Sequence, residues 1–166
     1  MMLAKIGRRD PSLLYPIEHQ SEQAQRDLLQ IKLRDNLVRQ RVDVISAVRF
    51  TLKSLGIRLA SPNTNYFTKR ARKELSESEP QVLEMVEPSL QVIDIMTSKI
   101  KELDKKSEEL GEGHYPETQR LRQIAGIGPI TALAYVLTIG DPKRFKRSRD
   151  VGAYFGMVPK RYQSGE

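Results

Sequence analysis

Apolar residues recur three and four apart through two long stretches of this chain, with a break of polar and turn-forming residues between them. The first stripe runs Ala24, Leu28, Ile31, Val38, Val42, Ile45, Val48, Leu52 and Leu55, and Asp35 interrupts it. Such spacing keeps one face of a helix apolar. Ser21 suits the N-cap and Gly56 a left-handed stop. Together they predict a helix of about 33 residues, roughly 50 Å long. Arg26, Lys32, Arg34, Arg39, Arg41, Arg49 and Lys53 fall off the stripe. They are expected to form a cationic outer face, either simply solvated or following nucleic acid.

The second stripe runs Leu83, Val86, Leu90, Ile93, Met96, Ile100, Leu103 and Leu110. Ser76–Pro80 opens this helix. Pro88 is predicted to kink it or to mark its true start, and Gly111-Glu112-Gly113 to end it. Between the stripes, Ala60–Asn65 has loop chemistry, and Tyr66–Leu75 reads as a short basic helix. Neither long helix can bury its stripe alone. The fold class is therefore all-α, with two long amphipathic helices as an antiparallel, coiled-coil-like pair that a second copy of the chain could complete. Residues 1–20, with Asp10-Pro11 and Tyr15-Pro16, read as an irregular lead-in, residues 21–113 as the long helical region and residues 114–166 as a separate module.

That module centres on Ile124-Ala125-Gly126-Ile127-Gly128-Pro129-Ile130-Thr131-Ala132. Thr118–Gln123 before it and Ala132–Ile139 after it have helical patterns, and the second ends on Gly140-Asp141-Pro142. Gly126 and Gly128 permit a tight turn with positive φ. Pro129 suits the first position of the next helix. Read this way, the stretch is a helix-hairpin-helix whose second N-terminus can hold a phosphate oxygen. The same residues equally describe a plain helix–helix turn.

The 166 residues include 28 Lys/Arg against 21 Asp/Glu, a net charge of +7. The charge is uneven: residues 1–60 carry net +5, residues 61–110 net −2, and residues 141–166 net +4. In the last of these, Lys143, Arg144, Lys146, Arg147 and Arg149 surround Phe145, a composition suited to nucleic-acid backbone contact. Lys160 and Arg161 extend it. Aromatic residues make up 6% with no Trp, which favours helices over a sandwich or barrel. Without cysteine there are no disulfides or thiolate metal sites. His19 and His114 lack ligand spacing, so no metal site is expected. No apolar run approaches the roughly 20 residues that span a bilayer, and the start is too short and polar for a signal peptide. The expected place is the cytoplasm, with no membrane partner.

The order of Gly126–Ala132, Ile139-Gly140-Asp141-Pro142, Arg144-Phe145, Ala153–Pro159 and Tyr162-Gln163-Ser164-Gly165 resembles one family. It is similar to the C-terminal domain of the DEDD insertion-sequence transposases of the one-ten class, which are bridge-RNA-guided recombinases. Asp10–Leu14 through Leu55–Ile57 resembles the region after that family's nuclease-like domain. The resemblance implies DNA transposition, with DNA and a structured guide RNA as partners. It also implies an RNase-H-like acidic domain that holds magnesium, and a serine that attacks DNA. That acidic domain would fall before Met1 and the family's last stretch after Glu166, so the chain is expected to hold only part of an active site. No cofactor is expected in it, and Asp10 is not promoted to a catalytic acid. Ser164 lies where the serine nucleophile falls, although Ser-Gly is also plain turn chemistry. The expected nucleic-acid contacts are Gly126, Gly128, Thr131, Lys143, Arg144, Lys146, Arg147, Arg149, Lys160 and Arg161. Two other readings are a non-enzymatic helix-hairpin-helix DNA-binding adaptor and a coiled-coil oligomerisation protein.

Overall fold

The structure is a computed structural model that describes residues 2–10, 20–59 and 63–157. Helices are α1 (Met2–Arg9), α2 (Glu22–Ser54), α3 (Phe67–Ser78), α4 (Pro80–His114), α5 (Glu117–Leu121), α6 (Pro129–Ile139) and α7 (Ser148–Tyr154), with short 3-10 turns at Thr64–Tyr66 and Pro142–Arg144. No strand occurs among the described residues. None of their helices is long and apolar enough to cross a membrane. The lead-in expected to be irregular holds α1 over its first residues.

Both ends of α2 follow from local chemistry. The Ser21 hydroxyl accepts from the Ala24 N–H at 3.2 Å, which satisfies one of the four amides a helix start leaves free. At the other end Gly56 sits at φ 80°. Its N–H donates to Lys53 O, and the Ile57 N–H donates to Leu52 O. This is the paired-bond stop that a left-handed residue makes possible.

Helix α4 departs from expectation twice. It starts at Pro80, in the first position, and continues past Pro88, which therefore does not mark its start. Pro88 is solvent-exposed, so it forfeits one backbone bond on the wet side of the helix. Helix α4 also passes through Gly111 and Gly113 to His114. Neither glycine has positive φ. Gly111 is instead a buried helix position facing α5 and α6, where a Cβ would make ordinary contact, 3.6 Å from Thr118 Oγ1 and 4.0 Å from Leu133 Cβ.

Helices α2 and α4 pack antiparallel, as the order of their cross-links establishes: partners on α4 fall in number as those on α2 rise. Gln30 reaches Ser107, Arg34 reaches Asp104 at 2.7 Å, and Arg41 reaches Thr97. The apolar contacts gather into two cores at opposite ends of this strut. In one, Ile45, Val48 and Leu52 of α2 and Leu90 and Ile93 of α4 close over Phe67, Ala71 and Leu75 of α3. Helix α3 thus completes a three-helix end, which Arg72 of α3 clamps with ion pairs to Glu87 and Asp94. In the other, Ile31 meets Leu133 and Leu137 of α6, flanked by Leu28, Leu110 and Tyr115. The hairpin's second helix therefore shares a core with the strut.

The expected cationic outer face of α2 is divided. Arg41 is buried and bonds Asn65, Thr97 and Thr64. Arg34 is bound to Asp104 and Asp35. Arg49 lies over the Phe67 ring at 5.2 Å. These long side chains bury their stems and bring their charge to inward partners, so they do not belong to the outer face. Val42 and Leu55, assigned to the apolar stripe, are exposed instead.

Candidate nucleic-acid interface

The hairpin is seated by a small polar anchor. Thr118 of α5 is buried, with its hydroxyl 2.8 Å from Tyr115 O and 3.1 Å from Gly111 O. Arg122 follows with ion pairs to Glu108 and Glu112 of α4. After α5 the chain turns at Gly126, φ 89°, which L side chains rarely adopt. Gly128 differs from expectation: it is the N-cap of α6 in ordinary extended backbone, φ −83° and ψ 172°. A Cβ on either glycine would meet nothing within 4 Å, so the outer side of the turn is open. Pro129 has no N–H, and the amides of Ile130 and Thr131 have no partner within the helix. These two N–H groups and the positive end of α6 are what the turn offers an anion.

Helix α6 exposes Thr131 and Tyr135, four residues apart on one face. The opposite face buries Leu133 and Leu137. Gly140 closes the helix at φ 63°, with its N–H on Val136 O. Gln20 straps this end to the start of α2 through Thr138 O at 3.1 Å. Asp141 then caps the 3-10 turn by accepting the Lys143 N–H at 2.9 Å.

The basic segment thus begins beyond the far end of α6, about 15 Å of helix away from the glycine turn. Lys143, Lys146, Arg147 and Arg149 are exposed. None of these, nor Arg144, makes an ion pair among the described residues, whereas Arg34, Arg72 and Arg122 on the strut side are all paired. Helix α7 folds back over α6, so that Phe155 stacks on Tyr135 with centroids 5.5 Å apart and planes 17° apart. Tyr154 meets Phe155 edge-on at 5.9 Å and Phe145 at 5.5 Å. The Arg144 guanidinium lies over both Phe145 and Tyr154, at 4.7 and 4.5 Å.

Of the sequence-predicted contacts, Gly126, Gly128 and Thr131 come together at the turn, while Lys143, Arg144, Lys146, Arg147 and Arg149 come together at the other end of α6. Lys160, Arg161 and Ser164 lie outside the described residues. Sequence reasoning missed the aromatic row joining the two groups, although Tyr135 and Phe155 each stand in the quoted motifs. It also missed Arg120 of α5, exposed and without an ion pair among the described residues. No three Asp, Glu or His side chains among the described residues gather as a metal site. The magnesium that the resemblance implies finds no ligand set among them.

Residues 118–166 match the model of the IS116/IS110/IS902 transposase family. The transposase for insertion sequence element IS1111A of Coxiella burnetii is 30% identical over 148 residues, which cover 81% of this chain and 38% of that protein. The transposase for insertion sequence element IS1328 of Yersinia enterocolitica is 31% identical over 139 residues, covering 81% and 40%. A probable family 20 transposase of Pseudomonas aeruginosa is 27% identical over 161 residues, covering 93% and 46%. The chain spans less than half the length of these relatives. No solved structure matches it. The family model covers the hairpin, the basic segment and the aromatic row, while the relatives extend the match back over the long helices, and on that double correspondence the chain belongs to the IS116/IS110/IS902 transposase family.

Proposed function

We propose that this chain acts in DNA transposition by holding a DNA backbone along α6, with the glycine turn gripping one phosphate and the basic segment several more. The observation that carries this reading is the contrast in charge pairing. Arg34, Arg72 and Arg122 are neutralised by Asp and Glu, whereas Lys143, Arg144, Lys146, Arg147 and Arg149 have no carboxylate partner among the described residues. Cations left unpaired on one face suit a polyanion. The family's serine and guide RNA enter this proposal by resemblance: Ser164 would attack DNA only where acidic metal ligands are supplied from elsewhere.

Salt dependence tests the reading. Neutralising about five phosphates gives a slope of about −4.5 in a plot of log affinity against log salt. Duplex binding by the whole chain is expected to weaken on that slope. Gly128→Val places a side chain in the open space over the turn and is expected to cost about tenfold in affinity. Its backbone angles suit any residue, so the fold is kept, with loss of the glycine N-cap costing about 1 kcal/mol. Full affinity in a folded Gly128→Val removes the turn from the site. No binding at low salt removes the proposal.

A second reading, self-association of the long helices, is favoured by a separate feature. Met85, Val92 and Ile95 form an exposed apolar row on α4, away from both cores.

A further inference from the structure

Tyr135, Phe155, Tyr154, Arg144 and Phe145 form a continuous row of flat groups across the outer side of α6 and α7. The row does more than hold α7 in place. A row of rings serving only as a small core would turn its faces inward, yet Tyr154 is 51% exposed, Tyr135 39% and Phe155 36%. The exposed rings also sit among cations that lack carboxylate partners, and Arg144 spreads its guanidinium over Tyr154 and the half-buried Phe145. A hydrophobic protein partner would find this surface too strongly charged, and a rigid duplex hides the faces of its bases. An unpaired nucleotide has both things the row offers to bind: a π face for the rings and a phosphate for the cations.

We propose that this row is a stacking platform for unpaired bases, with Tyr154, its most exposed ring, at the centre. The proposal rests on the backbone-holding reading above and deepens it. The turn and the basic segment grip phosphates of any strand, and the row adds a preference for strand that is not paired. Thr131 continues the same face of α6 back to the glycine turn, so a strand lying on the row leads directly to the phosphate grip. The ligand chemistry is a nucleobase with its phosphate, whether in single-stranded DNA or in an RNA loop.

The test compares the whole chain's affinity for a short single-stranded DNA, the same sequence as RNA, and the matching duplex, at one salt concentration. The single strands are expected to bind more tightly than the duplex. A fluorescent purine analogue within them is expected to be quenched on binding, as stacking requires. Tyr154→Leu keeps an apolar side chain and removes the π face. It is expected to cost about tenfold in single-strand affinity and to abolish the quench, with duplex affinity unchanged. Tyr154→Phe is expected to bind like the parent. Tyr135→Leu, on the well-packed α6, gives a second variant should α7 detach in the first, and is expected to reduce the quench. The DNA and RNA arms show which strand the site favours, and binding of either with quenching supports the proposal. Equal affinity for duplex and single strand, an unquenched analogue, or a Tyr154→Leu that weakens both alike overturns it while leaving the phosphate grip intact. Binding to none of the three overturns the backbone-holding reading itself.

Discussion

The hydroxyl of Tyr115 donates to Asp27 Oδ2 at 2.7 Å, and Gln23 holds the other carboxylate oxygen at 2.8 Å. Asp27 is buried in the middle of an apolar cluster, so these two bonds are what make its burial tolerable. Burial, then the hydrogen bond and charge of Asp27, push the phenol's pKa up from 10.0 to about 12. A phenol held neutral in the fold adds stability that is complete below pH 10 and is lost as pH rises towards 12. Tyr115→Phe is expected to lose about 1–2 kcal/mol at neutral pH by stripping Asp27 of a partner. It is also expected to flatten the alkaline arm of a pH series of denaturant melts. An unchanged alkaline arm would place the loss on other groups. This bond was invisible in the sequence, because its two partners stand 88 residues apart. Arg41 failed to be read for the same reason. It sits four residues before the buried Ile45 and shares its face, but which residues turn inward depends on Thr64, Asn65 and Thr97, supplied by distant chain. Burial lowers its pKa, with Arg34 adding to the effect, and no carboxylate offsets the charge at close range.

At the scale of elements, the long helices and their caps were legible because each signal was local: Ser21, Gly56, Pro80 and Gly140 act within a turn of themselves. The errors on α4 have the opposite character. Gly111 looks like a stop in sequence and is a buried helix position in space, facing Thr118 and Leu133. Helix α6 takes this coupling furthest. It was expected as half of a separate module, and its apolar face instead closes one end of the strut through Leu133 and Leu137 against Ile31. Leu133→Ala leaves a cavity in that shared core and is expected to cost about 2–5 kcal/mol. Thermal unfolding followed by circular dichroism should show one transition moved to lower temperature. A separate early transition, with the rest of the helix signal unaffected, would mean that the hairpin module unfolds on its own. The hairpin itself was half legible. The turn at Gly126 follows from its glycine, whereas Gly128 matters through the space it leaves rather than the angle it adopts.

At the scale of the whole molecule, apolar packing is concentrated at the two ends of the strut, with polar links such as Gln30–Ser107, Arg34–Asp104 and Arg41–Thr97 between them. That division leaves the outer side of α4 without a partner. Met85, Val92 and Ile95 repeat at spacings of seven and three, as a coiled-coil seam does. Met85 is 77% exposed and Ile95 62%. The same seam would sit far along α4 from the hairpin, so two copies joined there would carry two separate nucleic-acid faces. Self-association is then expected at rising protein concentration in sedimentation velocity, with little weakening by salt because the seam is apolar. Ile95→Asp places a charge in the seam and is expected to shift the chain to monomer with its helix content intact. Its affinity for a short duplex that engages one face should not change. Its affinity for a long duplex should fall, because the second face no longer binds as an intramolecular event. A parent chain that stays monomeric at every concentration removes self-association through α4. A monomeric Ile95→Asp that binds long duplex as tightly as an associated parent keeps the seam and removes its link to DNA.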